Sequence, residues 1–206
     1  MRKGFGVACV ILGVICLLGA IGFVAYNRWE AQSAAQVSQT LLEDVQLVIR
    51  EEMPEAPDTG ILPGKDFTED IPAEMATVQV DGYDCIGILS IPVLELELPV
   101  LADWSYEKLK KAPCHYYGTC YEPDFVIAAH NYDSHFGRLD RLQPGDIVIF
   151  TDVGGKACYY EVALLETLPK EATREMIASG FGLSLYTCTQ GGGNRVTVRC
   201  NSIRTQ

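Results

Sequence analysis

The sequence predicts a mainly β protein, a closed or nearly closed β-barrel with short helices, preceded by one transmembrane helix. Two observations carry this prediction. Residues 4–26 form a run of 23 positions without a charged side chain. From about residue 75 onward, short apolar or alternating segments follow one another with few helical patterns between them. Closing such strands into a barrel removes their exposed edges.

The uncharged run is long enough to cross a bilayer. At about 1.5 Å per residue it spans roughly 34 Å, against a hydrocarbon core of about 30 Å. Arg2 and Lys3 precede it, whereas Arg28 and Glu30 follow it. This charge bias predicts a cytoplasmic N-terminus and an external remainder. A cleaved signal peptide is the alternative, but its apolar region is only about 7–15 residues long. We therefore expect an uncleaved anchor in residues 1–28.

Residues 29–74 are predicted to connect the anchor to the folded domain. Between residues 29 and 52, apolar side chains recur at spacings of three and four, which predicts an amphipathic helix that packs on its own domain or serves as a stalk. These side chains are Ala34, Val37, Leu41, Val45 and Val48. Residues 53–73 contain four prolines and two glycines, a composition that breaks helices and strands alike and indicates a linker.

Residues 75–206 are predicted to form the barrel. Strand-like segments lie at residues 85–91, 94–100, 125–129, 146–151, 157–168, 183–188 and 195–201. Short helices are predicted at residues 106–111 and 170–179, with a turn or helix through residues 135–142. The strands and the connections between them determine which side chains meet.

Cys188 and Arg195 are predicted to face each other across the last hairpin. Six residues separate them, including three consecutive glycines, and the flanking segments both alternate. Directly opposed side chains have Cβ atoms about 4.5–5.5 Å apart. A thiol can attack a carbonyl carbon, and a guanidinium at that distance can hold the resulting oxyanion. Arg199 is the rival for the arginine role, but it lies four residues along, about 13 Å away.

His130 is the histidine that best fits catalysis. It ends the apolar run at residues 125–129, where a buried strand emerges into a loop. Its ordinary pKa near neutrality suits an acid or base for Cys188. His115 and His135 lie in predicted loops.

This constellation resembles the sortase family, the membrane-anchored cysteine transpeptidases of Gram-positive bacteria. The resemblance covers roughly residues 86–199, and four ordered segments carry it. They are IGILSIP at residues 86–92, AAHN at 128–131, LYTC at 185–188 and RVTV at 195–198. The resemblance implies a sortase-like closed barrel of about eight strands. The short glycine-rich loop before Arg195 leaves the subclass open, with a class B-like member as one reading.

The resemblance also implies a reaction. Cys188 would attack the Thr–Gly carbonyl of an LPXTG-like sorting signal, and an amine on a peptidoglycan cross-bridge or a pilin lysine would resolve the thioacyl enzyme. His130 would be the general acid and base, and Arg195 would stabilise the oxyanion. The segment at residues 166–182 would cover the substrate groove. Thr187, Leu168 and Ile177 are its candidate substrate contacts, with ordinary helix packing as the alternative for the two apolar side chains.

Charge and cysteine content limit the remaining functions. Beyond Arg2 and Lys3, 14 basic residues stand against 27 acidic ones, a balance of −13, and nucleic-acid binding needs a basic surface.

Five cysteines remain in the external part besides Cys188, and Cys114 and Cys120 are close enough in sequence to form a disulfide. The short paired spacing of a zinc site is missing, so we expect no metal and no cofactor.

Two other functions stay open. A thiol hydrolase would use the same residues and let water resolve the thioacyl enzyme. A membrane-anchored binding barrel would leave Cys188 inert, as most free cysteines are. A papain-like protease fits less well, because its usual cysteine surroundings are missing.

Overall fold

Eight strands close into a barrel in the part of the chain that the structure describes, residues 2–52, 74–189 and 191–203 of a computed structural model. The strands are β1 Val78–Val80, β2 Tyr83–Ile91, β3 Leu96–Leu101, β4 Cys114–Tyr117, β5 Phe125–Ala128, β6 Ile147–Asp152, β7 Ala157–Pro169, β8 Leu183–Cys188 and β9 Asn194–Ile203. The helices are α1 Arg2–Glu52, α2 Tyr106–Leu109 and α3 Thr173–Ile177, with 3₁₀ turns at Pro92–Leu94 and Leu139–Arg141.

The barrel order is β2-β3-β4-β5-β8-β9-β7-β6, and β6 pairs with β2 to close it, while β1 pairs with β2 outside the ring. β3 pairs with β4, and β5 with β8, in parallel; the other pairs are antiparallel. A parallel pair places the carboxyl ends of both strands at the same edge of the sheet. The ends of β5 and β8 therefore meet at one rim of the barrel.

Closure depends on a close approach of backbones at Gly87. This residue pairs with Val100 on β3 and with Asp152 on β6. A Cβ atom there would lie 2.1 Å from the Thr151 carbonyl oxygen, and the backbone has φ near +154°. Glycine alone fits both demands.

One continuous apolar cluster fills the barrel. It takes the inward-facing residues of nearly every strand, for example Leu89 on β2, Phe125 and Ile127 on β5, Phe150 on β6 and Leu185 on β8. All five are fully buried. The predicted closed barrel of about eight strands is confirmed.

α1 runs without interruption from Arg2 to Glu52, so the predicted anchor and the predicted amphipathic helix are one helix. Within α1, residues 10–51 include a window of mean hydropathy 2.2, apolar enough to span a membrane. Further along, Leu41 and Val45 are buried against β1, β2 and β3. The helix therefore packs on its own domain, the first of the two predicted roles. The predicted linker, residues 53–73, lies outside the described residues.

Several predicted elements differ from the observed ones. β1 and β4 were not predicted, and His115 lies in β4 rather than in a loop. α3 covers five residues of the ten predicted, because Ala178 and Gly180 leave helical geometry. The predicted turn or helix at residues 135–142 contains one 3₁₀ turn, Leu139–Arg141.

Candidate active site

Four sequence-predicted residues lie in one row at the rim of the barrel. Cys188 on β8 is the register partner of Arg195 on β9, as the hairpin predicted, and Arg195 is in turn the partner of Leu168 on β7. On the other side, β5 runs parallel to β8 with Ala128 level with Tyr186. Continuing that register by two residues places His130 level with Cys188. Neighbouring strands are about 4.8 Å apart, so this register puts the backbones of His130, Cys188 and Arg195 side by side.

Two hydrogen bonds hold the end of β5 against β8 beyond the last register pair. The Ala129 amide donates to the Tyr186 carbonyl at 3.2 Å. The Thr187 hydroxyl donates to the Ala129 carbonyl at 2.9 Å. Thr187 is buried, so its hydroxyl fixes the strand that leads to His130. A substrate contact was predicted for Thr187; its hydroxyl makes this bond, and the residue also lines the cavity onto which Cys188 opens.

Cys188 is a free, exposed thiol at the last position of β8. It lines a cavity of about 240 Å³ together with Thr189, Val196 and the loop after β5, including Asn131 and Asp133. A nucleophile must be accessible, and this thiol opens directly onto a concavity. The exposed position contrasts with Cys85, Cys114, Cys120 and Cys200, which are all buried.

His130 is half-buried and stacks on Tyr132, with ring centroids 3.9 Å apart and planes 22° apart. Its carbonyl accepts a hydrogen bond from the Phe136 amide at 3.2 Å, which folds the loop back over the strand end. Burial lowers the pKa of His130; Glu30 opposes this shift and Lys110 adds to it. A lowered pKa favours the neutral ring, in which one nitrogen carries a proton and the other can accept one. Nδ1 is buried and has no hydrogen-bond partner among the described residues.

Arg195 is half-buried and lays its guanidinium over the Tyr186 ring, 5.0 Å from the centroid. Tyr186 is two residues before Cys188 on the same strand face, so the stack keeps the guanidinium beside the thiol. Nη1 of Arg195 is buried and has no hydrogen-bond partner among the described residues. It therefore has a donor available for an incoming oxyanion.

Arg199, the rival arginine, is fully engaged elsewhere. It is 2% exposed, and its Nε donates to Glu166 at 2.7 Å while Nη1 donates to the Ser184 hydroxyl at 2.7 Å. Nη1 and Nη2 also donate to the carbonyls of Met176 and Glu175 on α3. Arg199 thus ties α3 to the outer face of β8 and β9.

The apolar groove candidates pack on the outer face of the sheet. Leu168 and Ile177 are half-buried against a cluster of Val126, Ala128, Met176 and Tyr186. Leu168 is the register partner of Arg195, so this cluster lies on the side of Arg195 that is away from Cys188.

The other two histidines have different surroundings. His115 has its ring nitrogens 3.1 Å from the Ala102 carbonyl and 2.7 Å from the Gly118 carbonyl. His135 is fully buried, and both of its ring nitrogens are without partners among the described residues. Burial, with a smaller contribution from His130, lowers its pKa to about 4. Groups of three or more metal-ligating side chains are not found within residues 2–52, 74–189 and 191–203.

Sequence reasoning missed Tyr132 and Tyr186, the two rings that hold His130 and Arg195. Tyr132 lies two residues after His130, and Tyr186 lies two residues before Cys188. This spacing is the sequence signal that could have identified them. The predicted disulfide candidates Cys114 and Cys120 are both free and belong to different core clusters.

Comparisons with known proteins agree with this architecture. A family model described as Sortase domain matches residues 89–203, more than half of the chain. A structure of sortase C1 from Streptococcus suis is 27% identical, with a TM-score of 0.52, and the match covers 59% of this chain and 74% of that one. The comparison with curated proteins gives no match.

Two further solved structures share the fold at lower identity. Sortase A from Corynebacterium diphtheriae is 21% identical with a TM-score of 0.54, covering 60% of this chain and 63% of that one. A sortase D5 transpeptidase from Clostridium perfringens is 21% identical with a TM-score of 0.53, covering 64% and 83%. The chain thus spans less than two thirds of the C. diphtheriae protein. The class B-like reading stays a prediction.

Proposed function

Because the chain belongs to the sortase family, we propose that it is a cysteine transpeptidase that cleaves an LPXTG-like sorting signal between Thr and Gly. The observation that carries the proposal is the register that pairs Cys188, an exposed thiol, with Arg195 and that, continued past Ala128, puts His130 on its other side. Arg195 Nη1 has no hydrogen-bond partner among the described residues. The C. perfringens relative, which is named a transpeptidase, supports the same reaction class.

The first half of the reaction forms a thioacyl enzyme. The Cys188 thiol gives its proton to His130 and its sulfur attacks the threonine carbonyl carbon. The negative charge that develops on the carbonyl oxygen lies beside Arg195, whose Nη1 donates to it. Collapse of this intermediate breaks the Thr–Gly bond, and the His130 imidazolium protonates the departing amine.

The second half transfers the acyl group. An amine, on a peptidoglycan cross-bridge or a pilin lysine, loses its proton to His130 as it attacks the thioester carbonyl. Arg195 again stabilises the oxyanion, and Cys188 leaves as the thiolate. The net result is one amide bond broken and one formed, which requires neither a metal nor an added cofactor.

The anchor helix places this site beside the membrane. We propose that α1 spans the bilayer with its N-terminus in the cytoplasm and carries the barrel outside. Glu30 comes four residues after Tyr26, the last position of the uncharged run, or about 6 Å further along the helix. Its carboxylate lies 3.3 Å from Lys110 Nζ, and it helps to raise the pKa of Tyr132, the stacking partner of His130. The site therefore opens close to the bilayer surface, where membrane-borne substrates are presented.

Product analysis tests the reaction. The full-length chain in detergent would be incubated with LPXTG-like peptides, with and without an amine acceptor. The proposal predicts cleavage between Thr and Gly, and an acyl–amine product that increases with acceptor concentration. Hydrolysis alone at every acceptor concentration would indicate the thiol hydrolase. Binding of the peptides without cleavage would indicate the non-catalytic barrel.

A further inference from the structure

Two thiols, Cys120 and Cys158, lie at the end of the barrel away from Cys188. Both line a cavity of about 680 Å³, which Gly182 also lines. Gly182 directly precedes β8, whereas Cys188 ends that strand. The six residues of β8 place the two ends about 17–20 Å apart. This cavity is therefore separate from the proposed active site.

The two cysteines are held next to each other by the fold. Cys120 is buried in the main core cluster, in the connection between β4 and β5, and Cys158 on β7 packs against the same cluster. Two residues further along β7, on the same strand face, the Tyr160 hydroxyl donates to the Cys120 carbonyl at 3.2 Å. This bond fixes the Cys120 backbone against the strand that carries Cys158.

The two thiols share one cavity wall, and their pKa values shift in opposite directions. Their mutual hydrogen bond raises the pKa of Cys120 and lowers the pKa of Cys158. Cys120 is therefore the thiol of the pair that keeps its proton more firmly. A thiolate is the form that attacks a disulfide, and Cys158 is also the more exposed of the two.

We propose that Cys120 and Cys158 are a redox-active pair that closes to a disulfide outside the cell. This proposal uses the outward orientation argued above, because the cell exterior favours disulfides and the cytosol does not. The oxidant is another disulfide, either a small molecule such as oxidised glutathione or that of an oxidase. The Cys158 thiolate attacks it, forms a mixed disulfide and releases one thiol. Cys120 then loses its proton, attacks the Cys158 sulfur and releases the second thiol.

A second pair of buried cysteines provides a control within the same chain. Cys85 and Cys114 share a core cluster, but both pair with Leu101, which lies between them. Two strand spacings separate their Cα atoms by about 9.6 Å, beyond the limit of about 7 Å for a disulfide. Burial raises the pKa of Cys85 to about 11 and that of Cys114 to about 12. This pair should stay reduced under the same oxidant.

The bond would tie the β4–β5 connection to the start of β7. It would close a loop of 39 residues, from residue 120 to residue 158. Closing such a loop restricts the unfolded chain, and we expect the oxidised protein to melt about 5–15 °C higher than the reduced one. The barrel would then be more stable in an oxidising medium than in a reducing one.

Peptide mapping tests the proposal on the full-length chain in detergent. The protein would be treated with oxidised glutathione, its remaining thiols alkylated under denaturing conditions, and the sample digested with trypsin and chymotrypsin. Tyr116 and Tyr117 allow chymotrypsin to separate Cys114 from Cys120. The proposal predicts one cross-linked peptide pair containing Cys120 and Cys158, which disappears on reduction. Cys85 and Cys114 should be recovered alkylated.

Two variants complete the test. In Cys158→Ser and in Cys120→Ser, the cross-link and the oxidant-dependent rise in melting temperature should both be lost. Recovery of Cys120 and Cys158 as separately alkylated peptides from the oxidised wild-type protein would overturn the proposal. A glutathione adduct that stays on Cys158 without resolving would overturn it as well. Neither result depends on peptide cleavage, so failure of this proposal would not contradict the proposed transpeptidase function.

Discussion

Cys188 and Arg195 are register partners on β8 and β9, and the Arg195 guanidinium lies over the ring of Tyr186, two residues before the cysteine. The side chain is therefore fixed beside the thiol and is not extended into solvent. Its Nη1 is buried without a partner among the described residues, so it retains a hydrogen bond to donate.

Replacing Arg195 should slow the chemistry without unfolding the protein. We expect Arg195→Met to lower kcat/KM for an LPXTG-like peptide by about 10²–10³-fold, because one oxyanion donor is lost. The measurement is steady-state cleavage by the full-length chain, with alkylation of Cys188 as a check that the thiol stays accessible. The matched control is Arg174→Met, an exposed arginine on α3. Activity of the Arg195 variant within twofold of wild type would rule out this role.

Replacing Arg199 should destabilise the fold, in contrast to replacing Arg195, which should slow the chemistry. Arg199→Met leaves the hydroxyl of Ser184, the carboxylate of Glu166 and two α3 carbonyls without their donor. Because Glu166 is partly exposed, we expect a moderate loss of about 2–4 kcal/mol in the free energy of unfolding. Denaturant titration measures it, and Arg195→Met should stay within about 1 kcal/mol of wild type. An Arg199 variant of normal stability that lacks activity would transfer the oxyanion role to Arg199.

The titration of His130 should respond in opposite directions to two neighbouring charges. Burial lowers its pKa, Glu30 raises it and Lys110 lowers it. Glu30→Gln should therefore move the titration midpoint to lower pH, and Lys110→Met should move it to higher pH. NMR of the ring Cε1–H, assigned with His130→Gln, gives the midpoints. An unchanged midpoint in Glu30→Gln would show that Glu30 on α1 does not lie against this site.

His135 should make the protein acid-sensitive. Its pKa is about 4 in the folded state and near 6.5 in the unfolded chain. The unfolded state binds the proton at higher pH, so the free energy of unfolding falls as the pH drops from about 6.5 to about 4, by about 3 kcal/mol from this group. In His135→Phe, which loses no hydrogen bond among the described residues, the decline should be smaller by that amount. Parallel declines for both proteins would contradict a buried neutral His135.

The sequence predicted those contacts of the site that form between residues close together in the chain. Cys188 and Arg195 belong to one hairpin, so loop length and alternation were enough to pair them. His130 was identified from its place at the end of an apolar run. β4 was not predicted, because it has only four residues. Its parallel pairing with β3 leaves no local sequence pattern.

The missed interactions join residues far apart in the chain. Arg199 looked like a possible site residue because Glu166 and the α3 carbonyls come from other elements, whereas Ser184 is its direct partner in the predicted hairpin. The neighbour of Cys120 is Cys158 on β7 and not Cys114, since the β4–β5 connection turns Cys120 into the main core. Such contacts depend on the packing of elements that are distant in the chain, which local sequence does not encode.

The most direct test of the account is to trap the acyl enzyme on Cys188. The full-length chain would be mixed with an LPXTG-like peptide without an acceptor amine, quenched in acid, and analysed by intact-mass and peptide-level mass spectrometry. The account predicts an added mass equal to the acyl fragment ending in Thr, located on Cys188, missing in Cys188→Ala and retained in Cys158→Ser. Cleavage that persists in Cys188→Ala, or an acyl group on another residue, would contradict it.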